Sequence, residues 1–169
     1  MYRILLLYTL LLLPLSLLRA QVQGKVPGVQ VMNAENDPVE LPMLGKKGLL
    51  IFYADPNHSK QNRNLQDYFK EHPINSQKID SYGVVNMAAA PMIPNGLIRK
   101  MAVKAVKGTK GQVYFDPDRA LSKAWDLKGA DDASCVIIVG EDRVIQFFKA
   151  GQVTDEEMQK VIDWVKTHR

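Results

Sequence analysis

A short apolar segment, residues 48–54 (GLLIFYA), constrains the fold of this chain more than any other feature. The unbroken apolar run from Leu49 to Tyr53 predicts a strand that is buried on both faces of a sheet. A polar turn follows, and we expect a helix to begin within residues 54–59 and to run to about Glu71. Many α/β folds place their chemistry at such a junction, because the free N–H groups of a helix N-terminus face outward there.

The other predicted elements place this strand in a mixed sheet. Two short strands around an Asn/Asp/Pro turn predict an N-terminal hairpin within residues 28–44. Apolar runs predict strands over residues 79–87, 112–115, 135–139 and 144–148, and helical periodicity predicts helices over residues 96–106 and 120–125. A capping box, Thr154 to Glu157, opens the last helix, and Asp116-Pro117-Asp118 has the composition of a turn. This order predicts an α/β fold with helices on both faces of a central mixed sheet.

Residues 1–20 predict a secretory signal peptide, and residues 21–169 a single domain. The apolar run over residues 4–18 is shorter than the roughly 20 residues of a membrane span. We therefore expect cleavage after Ala20 and no stable membrane insertion afterwards, the alternative being a retained N-terminal anchor. Loss of Arg3 and Arg19 would lower the formal charge from +4 to +2. That charge is too weak to indicate a nucleic-acid-binding protein.

Cys135 is the single cysteine of the chain, which excludes an intramolecular disulfide. It lies in an apolar run (SCVIIV), where a buried thiol is normally inert because desolvation disfavours the thiolate. The alternative is a reactive Cys135. The histidines His58, His72 and His168 are dispersed and lack metal-ligand spacing. The sequence thus predicts neither a metal nor another cofactor.

Three segments resemble, in order, parts of the YtfJ-like family of bacterial periplasmic proteins. They are residues 92–99 (MIPNGLIR), 115–127 (FDPDRALSKAWDL) and 142–161 (DRVIQFFKAGQVTDEEMQKV). Residues 48–54 are also similar to the opening of exported thioredoxin-like and peroxiredoxin-like domains. The resemblance implies a thioredoxin-like fold, a signal peptide and a periplasmic location. That family offers no established activity to carry over.

The chain departs from the redox members of the thioredoxin-like class at both halves of their active site. The positions of the Cys-x-x-Cys motif correspond to Asn57 and Lys60. Residues 132–134 (Asp-Ala-Ser) stand where thioredoxins have a cis-proline. Disulfide exchange requires a thiolate, so we predict that this site is inactive in redox chemistry.

The candidate binding site consists of two loops that this fold should bring together. Its residues are Asp55, Asn57, His58, Ser59, Lys60, Asp132, Ala133 and Ser134. One hypothesis is a corner that binds an anion or a peptide through free N–H groups, Lys60 and a titratable His58. The alternative is helix capping, with Asn57 or Ser59 as the cap and Asp55 favoured by the helix dipole.

An Asp55–His58–Ser59 nucleophile is disfavoured, because neighbours in one turn seldom reach the required geometry. We therefore expect a non-catalytic module for an unidentified protein or peptide partner, held by backbone pairing. The alternative from another class is a one-Cys thiol oxidoreductase or peroxiredoxin-like enzyme that uses Cys135.

Overall fold

The computed structural model describes residues 24–169, which fold around one seven-stranded sheet. The strands are β1 (Gln30–Met32), β2 (Pro38–Glu40), β3 (Gly48–Ala54), β4 (Ile79–Asn86), β5 (Val113–Asp116), β6 (Cys135–Val139) and β7 (Ile145–Ala150). Their order across the sheet is β2-β1-β5-β4-β3-β6-β7. The β3-β4 and β4-β5 pairs are parallel, whereas β1-β2, β1-β5, β3-β6 and β6-β7 are antiparallel. The sheet is therefore mixed, and β3 lies inside it.

Four α-helices cover the sheet: α1 (Arg63–Glu71), α2 (Asn95–Val106), α3 (Ala120–Ala124) and α4 (Asp155–His168). Side chains of β3 alternate between two cores because successive residues of a strand point to opposite faces. Leu49 and Ile51 pack in the core that contains Leu121 of α3, and Leu50 packs in the core that contains Leu65 of α1. Helices thus cover both faces, as the element order predicts.

A third, smaller core holds α2 against the sheet. Ile98 of α2 packs there with Val85 and Phe115, which are register partners on β4 and β5. None of the helices within residues 24–169 is long and apolar enough to cross a membrane.

Most element boundaries agree with the sequence prediction, and two do not. The predicted helix start within residues 54–59 is wrong: a short 3-10 turn, Pro56–His58, occupies this stretch, and α1 begins at Arg63. Asp116 is also not a turn residue but the fully buried last residue of β5. The N-terminal hairpin and the Cys135–Val139 strand form as expected. The predicted signal peptide lies outside the described residues.

Candidate functional site

Asp55 is the buried centre of the first loop, directly after β3. Only 1% of the residue is exposed, because the parallel strands β3 and β4 end beside it. One carboxylate oxygen accepts a hydrogen bond from the Asn57 N–H at 2.8 Å and so caps the 3-10 turn. The other accepts one from His58 Nδ1 at 2.7 Å. Asp55 itself is therefore the cap of this 3-10 turn, and the interpretation of Asn57 or Ser59 as the cap is wrong.

Ser134 joins the second loop to the first. Its hydroxyl accepts a hydrogen bond from the Asp55 N–H at 3.0 Å and donates one to the His58 carbonyl oxygen at 3.1 Å. The Ser134 N–H donates to Gln61 Oε1 at 2.9 Å. Because each of these bonds crosses between the loops, residues 55–61 and residues 132–134 form one fixed surface next to the start of β6.

Two asparagines attach this surface to the rest of the fold. Asn57 Nδ2 donates to the carbonyl oxygen of Ala89, in the 3-10 turn that follows β4, at 2.8 Å. Asn62 is buried in the left-handed conformation (φ 60°) and accepts from the Val153 N–H at 2.8 Å. The loop before α1 is consequently fixed at both ends.

The outward side of this surface carries His58, Ser59, Lys60 and Asp132, all exposed. Asp55 holds the His58 ring by Nδ1, and no hydrogen bond formed within residues 24–169 involves His58 Nε2. Half-buried Ala133 lies between Asp132 and Ser134. Among the described residues, its N–H donates no hydrogen bond, and its carbonyl oxygen accepts one only from the Cys135 thiol at 3.4 Å. A ligand would meet a ring nitrogen, an ammonium group, a hydroxyl, the carboxylate of Asp132 and backbone groups here.

Cys135 is the first residue of β6 and is 1% exposed. Burial, followed by the nearby carboxylates of Asp55 and Asp131, raises the pKa of the thiol to about 12. At neutral pH the sulfur is therefore in the protonated thiol form, which is a much weaker nucleophile than the thiolate. The one-Cys enzyme hypothesis requires the opposite environment.

Several polar residues that support the two loops were not predicted from the sequence: Gln61, Asn62, Asn86, Arg119 and Asp131. Arg119 donates to the Ala88 carbonyl oxygen at 3.1 Å, and its Nε lies 3.6 Å from Asp131. Asn86, fully buried at the end of β4, donates weakly to the Ala130 carbonyl oxygen at 3.4 Å. The sequence signal that could have identified Asn86 as a buried polar residue is its position directly after the apolar pair Val84-Val85.

Five side chains of the candidate site are exposed: Asn57, His58, Ser59, Lys60 and Asp132. A cleft of about 220 Å³ lies at the opposite end of strands β3 and β4, beside Gly48, where β3 begins, and Lys78, which directly precedes β4. None of the candidate residues lines that cleft.

The sheet order, the β-strand to helix connections and the position of the two loops define a thioredoxin-like fold. Solved structures agree. A peroxiredoxin-like protein from Aquifex aeolicus is 12% identical with a TM-score of 0.62, covering 86% of this chain and 85% of that one. StoA from Bacillus subtilis is 16% identical with a TM-score of 0.57, covering 82% and 96%. An uncharacterized thioredoxin-like protein from Porphyromonas gingivalis is 17% identical with a TM-score of 0.58, covering 84% and 90%.

Sequence comparison places the chain in one specific family within this broad class of folds. The profile of the family described as "Bacterial protein of unknown function (YtfJ_HI0045)" matches residues 42–168, so the chain belongs to that family. An uncharacterized protein of Haemophilus influenzae is 27% identical over 126 residues, which is 73% of this chain and 67% of the relative. The resemblance noted from residues 92–161 is thereby confirmed.

Proposed function

We propose that this thioredoxin-like protein is exported to the periplasm and binds an extended segment of a partner protein. The binding surface is formed by residues 55–60 and 132–134, and no thiol exchange occurs there. The observation that carries the proposal is the N–H of Ala133, which donates no hydrogen bond to any of residues 24–169 and lies on a loop that Ser134 fixes against the first loop. A free backbone donor beside a rigid polar turn supports pairing with the backbone of an added chain.

The exposed side chains supply the specificity of this surface. Lys60 provides a cation, and His58 Nε2 provides a second nitrogen whose position is set by the bond from Nδ1 to Asp55. Asn57 is exposed, and because its side-chain amide donates a hydrogen bond to the Ala89 carbonyl oxygen, its position on the surface is fixed. These groups favour a partner segment that carries acceptor or acidic side chains.

The absence of thiols from the turn supports a binding role rather than a redox role. Asn57 and Lys60 occupy the turn. Burial raises the pKa of Cys135, the single cysteine of the chain. A protonated thiol inside the sheet does not attack a disulfide or a peroxide.

A peptide screen with matched variants tests the proposed surface. Peptides selected from a random linear library on the full chain should lose at least about tenfold in affinity for Asn57→Ala/Lys60→Ala. The control Asn75→Ala/Lys78→Ala changes the same residue types at the same spacing near the opposite end of β3 and β4 and should bind normally. Equal affinity of both variants and the unmodified chain would show that the partner does not bind at residues 55–60.

Backbone pairing has its own test. Peptides that are N-methylated at single positions lose one N–H donor and gain bulk without any change to the protein. We expect alternate positions to weaken binding, because every second residue of an added strand faces the supporting backbone. Export is tested by fractionation of cells and mass determination of the N-terminus, with Gln21 expected as the first residue. Cytoplasmic recovery of the intact chain would contradict it.

A further inference from the structure

The outward face of α2 carries exposed apolar side chains. Leu97 and Met101 lie one helical turn apart and are 48% and 62% exposed, and Met92, just before the helix, is 92% exposed. Among the described residues only one further large apolar side chain, Met43, is classed with them as exposed. Isolated exposed apolar residues are common, but three of these four lie within ten positions of the chain, and Leu97 and Met101 share one face of α2.

Positive charge lies along α2 beside Leu97 and Met101 and just after the helix. Lys100 and Lys104 share the outward face with Leu97, since they follow it by three and seven positions, and Lys107 and Lys110 follow the helix. All four lysines are exposed, and no ion pair formed within residues 24–169 includes them. The sequence contains no Asp or Glu between Asp80 and Asp116. We call these seven residues the α2 patch: Met92, Leu97, Lys100, Met101, Lys104, Lys107 and Lys110.

The remaining cation of this segment, Arg99, is used inside the protein. Its guanidinium lies 4.3 Å from the centre of the Phe115 ring and donates to the Asn33 carbonyl oxygen at 2.7 Å. Ile98, on the same inner side of α2, is 5% exposed. The helix is therefore held firmly by its inner face, and the α2 patch is not needed for its attachment.

We propose that the α2 patch docks this domain reversibly on an anionic phospholipid surface. Every free cation of the patch is a lysine, a compact and strongly hydrated charge that suits a diffuse layer of headgroups. Lysine is by contrast depleted in protein–protein interfaces, where arginine is favoured. Three protruding unbranched or γ-branched side chains can insert among headgroups, as amphipathic surface helices do. An acidic protein segment is the alternative occupant, and it is an outcome of the test.

This inference does not depend on the proposed peptide site. The two surfaces are neighbours, because Asn57 bonds to Ala89 at the start of the loop that leads to Met92. A domain docked through α2 would hold its peptide site close to the membrane surface. Failure of the peptide screen would leave the α2 proposal intact, and the reverse also holds.

Hydrogen exchange of the full chain with vesicles tests the docking locally. Vesicles of phosphatidylcholine alone are compared with vesicles of equal parts phosphatidylcholine and phosphatidylglycerol. We expect residues 92–110 to be protected by the anionic vesicles in about 0.1 M salt, where the Debye length is about 10 Å, and not in about 1 M salt. Residues 1–20 are identical in all variants, and protection read at α2 is separate from any attachment that they make.

Three double variants identify the contributing groups. Lys100→Glu/Lys104→Glu and Leu97→Gln/Met101→Gln should each lower the binding constant at α2 at least about tenfold. Lys46→Glu/Lys78→Glu gives the same change of net charge at exposed sites outside α2 and should leave protection unchanged. Equal effects of both charge variants would overturn the proposal, as would equal protection by the uncharged vesicles. Protection by poly-glutamate but not by anionic vesicles would replace the membrane surface with an acidic protein.

Discussion

At the scale of single residues, two buried aspartates place the loops of this fold. Asp55 follows β3 and Asp116 ends β5, and each turns its carboxylate toward the backbone of the next segment. Asp116 accepts hydrogen bonds from the N–H groups of Ala120 and Leu121 at 2.8 and 2.9 Å. It also accepts one from the Tyr53 hydroxyl at 3.0 Å. Burial and the neighbouring Asp116 raise the pKa of Tyr53 far above its ordinary value, so the phenol remains a donor.

Removal of the Asp116 carboxylate should lower the free energy of unfolding much more than removal of the Tyr53 hydroxyl that donates to it. Asp116→Ala leaves three donors without an acceptor in a buried site, and we expect the free energy of unfolding to fall by about 3 kcal/mol or more. Tyr53→Phe removes one donor and leaves two bonds to the carboxylate, for a loss of roughly 1 kcal/mol. Urea unfolding measures both. Similar losses for the two variants would show that the backbone N–H groups are not the main partners of Asp116.

Cys135 should be protected from thiol reagents in the folded protein. With its pKa raised to about 12, the thiolate fraction at pH 8 is on the order of one in ten thousand. Unfolding restores the ordinary value, so we expect labelling with a disulfide reagent to be roughly a thousandfold faster in denaturant. The native rate should also rise with pH between about 8 and 10.

Rapid labelling of the native chain at pH 8 would instead favour the one-Cys oxidoreductase. A peroxide-consumption assay with Cys135→Ser as the control would then decide between the two functions. Consumption that disappears in this variant would identify an enzyme.

At the scale of elements, the sequence predicts strands better than the site loop. Residues 135–139 form β6 with the expected bounds. A short continuous apolar run that is buried on both faces is typical of a central strand. The start of α1 was predicted too early, since Pro56 and Asn57 have typical first-turn composition but form a separate 3-10 turn. The left-handed Asn62 ends that stretch, and its partner Val153 is 91 positions away. Patterns of neighbouring residues cannot predict a hydrogen bond between positions so far apart in the chain. The bond between Asp55 and Ser134 is unpredictable for the same reason.

The capping box of α4 should make a pH-dependent contribution to stability. Glu157 accepts the Thr154 N–H at 2.8 Å, and this bond, assisted by Lys149, lowers the pKa of the carboxyl below its ordinary 4.5. A lowered pKa in the folded state stabilises the protein above the ordinary value, and this stabilisation is lost as the pH falls through the folded value. Glu157→Gln should therefore reduce the free energy of unfolding at pH 6 by up to about 1 kcal/mol and much less near pH 3.

Urea unfolding at the two pH values measures this difference. Asp155→Asn is the control, because Asp155 lies in the same first turn, is exposed and makes no ion pair with any of residues 24–169. Equal pH dependence in the two variants would assign the effect to the helix dipole rather than to the capping bond.

At the scale of the whole molecule, strand pairing is extensive at the centre of the sheet and sparse where the β1-β2 hairpin joins it. β3 pairs with β4 over seven register positions and with β6 over five, and its side chains enter both main cores. The β1-β2 hairpin joins β5 through a single register pair, Met32 with Phe115. Segments with few pairing contacts open at lower free energy than the centre of a sheet. Arg99 of α2 compensates in part, since it connects the hairpin to the body of the fold.

The hairpin should therefore open more readily when the Arg99 fork is removed. Arg99 donates to the Asn33 carbonyl oxygen at 2.7 Å and to Asn36 Oδ1 at 2.6 Å, both in the β1-β2 turn, while its guanidinium covers Phe115. Arg99→Lys keeps the charge but has no planar fork that serves both acceptors and the ring. We expect amide exchange within residues 30–40 to accelerate by about tenfold, with no change in β3.

The neighbouring Lys100 provides the control for this experiment. It is exposed and makes no ion pair among the described residues, so Lys100→Ala should leave exchange in the hairpin unchanged. Acceleration confined to residues 30–40 would show that the hairpin opens as a unit and that Arg99 closes it. Acceleration across β3 and β4 as well would mean that the edge and the centre unfold together. In that case the hairpin is attached to the sheet more strongly than its single paired position with β5, Met32 with Phe115, indicates.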